Sequence, residues 1–132
     1  MKGTDYFAEA LSMKVIESKD GYAKVFMKVE KIHTNALGFT HGGVIFSLAD
    51  YAFAQACNYG ENVAVAVQVS INFLKPSVEG DILTAEATRV SEGKTTGLYQ
   101  VTVRKDDKPI ALFSAIPNSV WLIEFIFCRL NQ

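Results

Sequence analysis

The chain has 132 residues, 49% of them hydrophobic, with a formal net charge of −1. That is the length of one domain, with enough apolar material for a core that needs no staple. The 13 basic residues are scattered and never cluster, which argues against a nucleic-acid partner, and no run approaches the ~18–20 apolar residues that cross a bilayer.

Met1 to Asp5 leads into a polar, acidic segment rather than an apolar signal, so a cytoplasmic protein without a membrane partner is expected. Cys57 and Cys128 sit in apolar surroundings and read as free buried thiols. Asp5 can cap a short helix through Leu11, with Phe7, Ala8 and Leu11 as its apolar face. Met13 to Lys19 reads as a strand and Asp20-Gly21 as a hairpin turn, because both residues tolerate positive φ. Tyr22 to Val29 returns as a second strand, with Ala23, Val25, Met27 and Val29 on one face and Lys24 and Lys28 on the other.

Glu30 to Phe39 has no clear period and reads as a loop, ending at Thr40-His41-Gly42-Gly43. Val44 to Cys57 is apolar nearly all round and of helical length, so a helix buried on most sides is expected, stopped by Asn58-Tyr59-Gly60. Beyond it Val63, Val65, Val67, Val69, Ile71 and Phe73 alternate with small or polar residues, a period of two that Lys75-Pro76 ends. Ile82 to Ser91, Thr95 to Lys105 and Pro109 to Ile116 follow as an antiparallel meander, separated by Glu92-Gly93-Lys94 and Asp106-Asp107.

A twisted sheet must bury one face, and an apolar helix needs covering; wrapping one around the other satisfies both. The expectation is an α+β hotdog fold, a long central helix wrapped by a curved antiparallel sheet of five to six strands. Residues 1–117 would form this domain.

Asp50 is the only charged residue between His41 and Gly60. A carboxylate desolvated on such a helix costs several kcal/mol unless compensated. Two readings stand side by side: Ser47, Asp50, Gln55 and Asn58 as a narrow solvated stripe, or Asp50 lining a cleft as base or nucleophile. His41-Gly42-Gly43 opens the same helix, where first-turn amides lack intrahelical partners and can receive an oxyanion. Gly42 and Asp50 are separated by ~12 Å at 1.5 Å per residue, about ten times the length of a carbonyl bond. If both act on one scissile bond, they must come from different chains, which predicts a homodimer with shared sites.

Asn35, the run from His41 to Asp50 and Ala52-Phe53-Ala54 strongly resemble the core of hotdog thioesterases of the phenylacetic-acid-degradation type, relatives of the 4-hydroxybenzoyl-CoA thioesterases. Asn72-Phe73-Leu74-Lys75-Pro76, Gly80-Asp81 and Gly93-Lys94-Thr95 extend the resemblance over roughly residues 5 to 115. The resemblance implies an acyl-CoA thioesterase acting on medium-chain or aromatic acyl groups. Asp50 would be the catalytic carboxylate, by general-base or anhydride chemistry, and Gly42 the oxyanion donor of the partner chain. Asn35 would polarise the carbonyl or place water, and His41 would order the loop or bond the thioester oxygen.

Some relatives place a Ser or Thr on the strand after the helix; here that position is near Ala66, and Ser70 is read on the same strand face. Gly43, Ser70, Phe73 and Lys75 are the substrate-binding candidates, with Lys75, Arg89 and Lys94 weighed for the CoA phosphates. His33 is read as an exposed loop residue without a role. Two histidines at no ligand spacing give no reason to expect a metal, and a hydrolase of this kind requires no organic cofactor. A dimer of dimers, hence a homotetramer, is the expected assembly. Alternative functions are a hotdog hydratase or dehydratase and a non-catalytic acyl-CoA binder.

Pro117-Asn118 interrupts the last strand, and Trp121 to Cys128 is too apolar to leave in water. Residues 118–132 are therefore expected to pack as an atypical tail on this domain or a neighbouring subunit.

Overall fold

A computed structural model describes residues 3–61, 63–94, 97–119 and 130. The elements run α1 (Tyr6–Ala10), β1 (Lys14–Lys19), β2 (Tyr22–Lys28), a 3-10 turn (Lys31–His33), α2 (Gly42–Cys57), β3 (Ala64–Phe73), β4 (Ile82–Glu92), β5 (Gly97–Lys105) and β6 (Lys108–Ser119). The six strands form one antiparallel sheet in the order β1-β2-β4-β5-β6-β3, so the chain crosses the sheet between β3 and β4. The hotdog architecture is present, with α2 against the sheet. No described helix is long and apolar enough to cross a membrane.

The alternation in β2 is realised in full. Ala23, Val25, Met27 and Val29 are buried, and they pack with Leu83, Ala85 and Ala87 of β4 and with Val101 and Val103 of β5. Asp20-Gly21 makes the β1–β2 hairpin with Gly21 at φ +76°, and a side chain there would collide with the Arg89 guanidinium 2.8 Å away. Arg89 is held by Asp20 at 3.1 Å and so serves the turn.

Helix α2 buries Ile45, Leu48, Ala49, Ala52, Phe53, Ala56 and Cys57, while Val44, Phe46, Ser47, Asp50, Tyr51, Ala54 and Gln55 are only half-buried. The expectation of burial on most sides thus holds for one face. Phe53 stacks edge-on against Tyr99 and Phe46 against Phe113, each pair 5.4 Å between centroids, which pins the helix over the sheet.

Four readings are corrected. Phe7 is exposed, because α1 turns only Ala8 and Leu11 inward. In β3 the clean period of two is broken: Ala66 pairs with Pro117 and Gln68 with Ile116, leaving Val67 in a bulge. Ala64 and Ala66 face the core before the bulge, and Val69 and Ile71 after it, so Val65 and Val67 are exposed. Ser70 consequently does not share a face with Ala66. Pro117 does not end β6, which pairs with β3 as far as Ser119; the missing N–H falls beyond Ala115, the last residue paired with β5.

His33 is the fourth correction, at 1% exposure. Its Nδ1 accepts from the Glu30 N–H at 2.9 Å, which leaves the proton on Nε2, 3.0 Å from the Leu11 carbonyl. Cys57 is buried and free, and burial pushes its thiol up to about 12. Cys128 and the run Trp121 to Cys128 lie outside the described residues.

Candidate active site

The amino end of α2 is built around His41. Its backbone N–H donates to the His33 carbonyl at 2.8 Å, and its Nδ1 caps the helix by accepting from the Gly43 N–H at 2.8 Å. The His41 carbonyl accepts from Val44 and Ile45 at 2.9 and 3.2 Å. Of the first-turn donors this leaves Gly42, whose N–H meets no acceptor among the described residues. A Cβ on Gly43 would lie 3.0 Å from His41 Nδ1, so glycine there lets the cap close.

The preceding loop is self-supporting. Asn35 Oδ1 accepts from the N–H groups of Leu37 and Phe39 at 2.9 and 3.2 Å, and the Asn35 N–H donates to the Phe39 carbonyl. The side chain's oxygen is therefore spent on the loop, and its amide nitrogen is the group left for other partners.

An open cleft of about 300 Å³ lies beside this helix end, lined by Phe39, Thr40, Gly42, Ile45, Phe73, Leu74, Lys75 and Pro76. Phe73 closes over Gly42, its ring Cζ 3.4 Å from where a Cβ would be. Gly42, Phe73 and Lys75 are thus brought together. Asn35, His41, Gly43, Ser70 and Asp50 do not line this cleft.

Asp50 is half-buried two turns further along α2, and its carboxylate has no hydrogen bond or ion pair among the described residues. Burial raises its pKa above the ordinary aspartate value, and the charge of Asp5 adds to the effect. Asp5 itself caps α1 by accepting from the Ala8 N–H. Within one chain, the acid and the free amide are held apart by the helix that carries both.

Sequence alone does not point to Thr40, which lines the cleft, or to Ser77, which is hydrogen-bonded to it; nothing local marks two hydroxyls 37 residues apart as neighbours. Among the described residues no group of three or more His, Cys, Asp or Glu could hold a metal ion.

Comparison with known proteins places these features in context. The family described as the thioesterase superfamily matches residues 37–111. The acyl-coenzyme A thioesterase PaaI of Escherichia coli is 43% identical over 114 residues, 86% of this chain and 81% of the relative. The solved Escherichia coli PaaI protein from the phenylacetic acid degradation operon superposes with a TM-score of 0.86 at 40% identity, covering 89% of this chain and 86% of the other. A Streptococcus mutans protein bound to acetyl-CoA superposes with a TM-score of 0.78 at 29% identity, covering 82% and 88% of the two chains. With a family match across more than half its length and a PaaI relative at 43% identity, the chain belongs to the thioesterase superfamily, as a hotdog-fold thioesterase of the phenylacetic-acid-degradation type.

Proposed function

We propose that this protein hydrolyses acyl-CoA thioesters, with medium-chain or aromatic acyl groups as the substrate class, at sites shared between two copies of the chain. The reading rests on one observation: among the described residues, α2 carries a carboxylate without a partner and, ~12 Å away along the same helix, the one first-turn amide without an acceptor. A thioester carbonyl can engage both only if the acid comes from one protomer and the amide from another. Strand β3 supports such pairing, because it is a sheet edge with no charged residue from Ala64 to Phe73.

In this mechanism the Asp50 carboxylate attacks the thioester carbon, or takes a proton from a water that does so. The carbonyl electron pair moves onto oxygen, where the partner chain's Gly42 N–H stabilises it. Collapse of the tetrahedral species breaks the C–S bond and releases CoA thiolate, a leaving group that needs little assistance. On the water route this yields the free acid directly; on the direct route it leaves a mixed anhydride on Asp50, which water then hydrolyses to the free acid and the regenerated carboxylate. The raised pKa of Asp50 suits a base, since a carboxylate that holds protons more tightly also removes them more readily. Asn35, through its amide nitrogen, would place the water or the carbonyl, and His41 and Gly43 would set the direction of the Gly42 amide. Phe73 would wall the cleft, and Lys75 at its mouth would meet a CoA phosphate. Ser70, turned outward on β3, would reach substrate only across the shared interface. Further pairing of dimers into a tetramer accords with the apolar surface that a single chain leaves uncovered.

The test is CoA release from an acyl-CoA panel, read with a thiol reagent, alongside the association state in solution. Hydrolysis by a dimer or larger assembly, abolished by Asp50→Asn, is the expected result. Turnover by a monomer, or an Asp50→Asn variant of undiminished kcat, would sink the reading.

A further inference from the structure

Thr40, in one wall of the cleft, is bonded to Ser77, the residue that directly follows the other wall, through hydroxyls that the proposed reaction leaves unused. Ser77 Oγ donates to Thr40 Oγ1 at 2.6 Å, and both residues are buried, at 1% and 5% exposure. Beside them the Thr40 N–H donates to the Ser77 carbonyl at 2.8 Å, and Phe39 and Val78 form an isolated bridge. One wall runs from Phe39 to the Gly42 amide; the other is Phe73 to Pro76. The second wall is fixed to the sheet, because the Ile110 carbonyl accepts from both Leu74 and Lys75, at 2.8 and 3.2 Å. Ser77 follows Pro76 directly, and among the described residues Thr40–Ser77 is the one side-chain hydrogen bond that ties the first wall to the segment continuing the second.

We infer that Thr40 and Ser77 are positioning residues, and that their bond sets the spacing between the Gly42 N–H and the Phe73 wall, where the reacting carbonyl must fit. The inference rests on the oxyanion role of Gly42 given above. Thr40 precedes Gly42 by two residues, and the intervening His41 is anchored at its own N–H, so little slack separates hydroxyl from amide. Phe73 already stands at contact distance from Gly42, so a small drift of either wall changes the space a carbonyl can occupy. Misplacement of reacting groups by ~1 Å can lower a rate on the order of a hundredfold.

Four variants test this: Thr40→Val, which keeps shape and loses the hydroxyl; Thr40→Ser, which keeps the hydroxyl; Ser77→Ala; and the double Thr40→Val/Ser77→Ala. For each, kcat and KM are read from CoA release, and Tm from thermal unfolding. The single removals should lower kcat roughly tenfold, within that geometric range, at nearly constant KM, and Thr40→Ser should retain the parent kcat. The double variant, with no lone buried hydroxyl, should regain Tm over the singles while kcat stays low. A double variant with parental kcat would overturn the inference, as would a Thr40→Ser enzyme as slow as Thr40→Val. Asp50→Asn run in parallel separates the two levels. Turnover surviving in it removes the catalytic reading and this inference together, whereas a dead Asp50→Asn beside a fully active double variant removes this inference alone.

Discussion

His33 and Asp50 are both polar groups carried into a largely apolar molecule, and the fold treats them differently. His33 is enclosed, and both ring nitrogens have backbone partners that tie the 3-10 turn to the end of α1. Asp50 is half-buried in the middle of α2, and the chain supplies nothing to its carboxylate among the described residues. Buried polar groups are ordinarily paired, and pairing removes most of the cost of desolvation. The first residue is therefore part of the scaffold, whereas the second is a strain that the scaffold tolerates. Such a local violation is characteristic of a working site.

Asp50→Asn gives the sharpest contrast. It should lower kcat by about 10²–10⁴-fold, the usual contribution of a placed base, while leaving acyl-CoA affinity near the parent value in a binding measurement. His33→Ala should do the reverse. It strips partners from the Glu30 N–H and the Leu11 carbonyl and leaves a void, destabilising by about 2–4 kcal/mol in urea unfolding. Its loss of kcat per folded molecule should fall well short of that in Asp50→Asn.

The pH dependence sharpens the difference further. Burial raises the folded-state pKa of Asp50, so its contribution to stability is fully present below the unfolded value of about 3.9 and is lost as pH rises through the folded value. Asp50→Asn should accordingly melt higher than the parent at neutral pH, with the gap closing below about pH 3.9. The acid limb of the parent's rate should have its midpoint above that same value, since only the carboxylate acts. The smallest effect expected is that of His41→Ala, which removes the cap on the Gly43 amide and should cost about 0.5–2 kcal/mol in unfolding experiments.

How much of this was legible beforehand follows from the range of each interaction. The buried face of β2, the Asp20-Gly21 turn and the length of α2 are written in local spacing, and the structure repeats them. Asp50 stood out because a lone charge on an apolar helix is a local anomaly. His33 could not be read, since its partner Leu11 lies 22 residues away and its enclosure depends on how α1 folds back. Thr40 and Ser77 were hidden for the same reason. In β3 the printed period of two pointed to one continuous inward face, yet an unpaired residue in mid-strand reverses it. The half-covered side of α2 reflects a helix that looks uniformly apolar in sequence but meets the sheet along one face only.

That unpaired residue, Val67, has a consequence for which sequence changes the strand can bear. Because it is the surplus member of the ladder, its deletion would leave Ala66 and Val69 pointing where they already point. An added residue between Val69 and Phe73 would be worse: it would rotate the phenyl ring to the opposite side of the sheet and strip the cover from Gly42. Length variation is thus harmless at one position of this strand and ruinous three to six residues later.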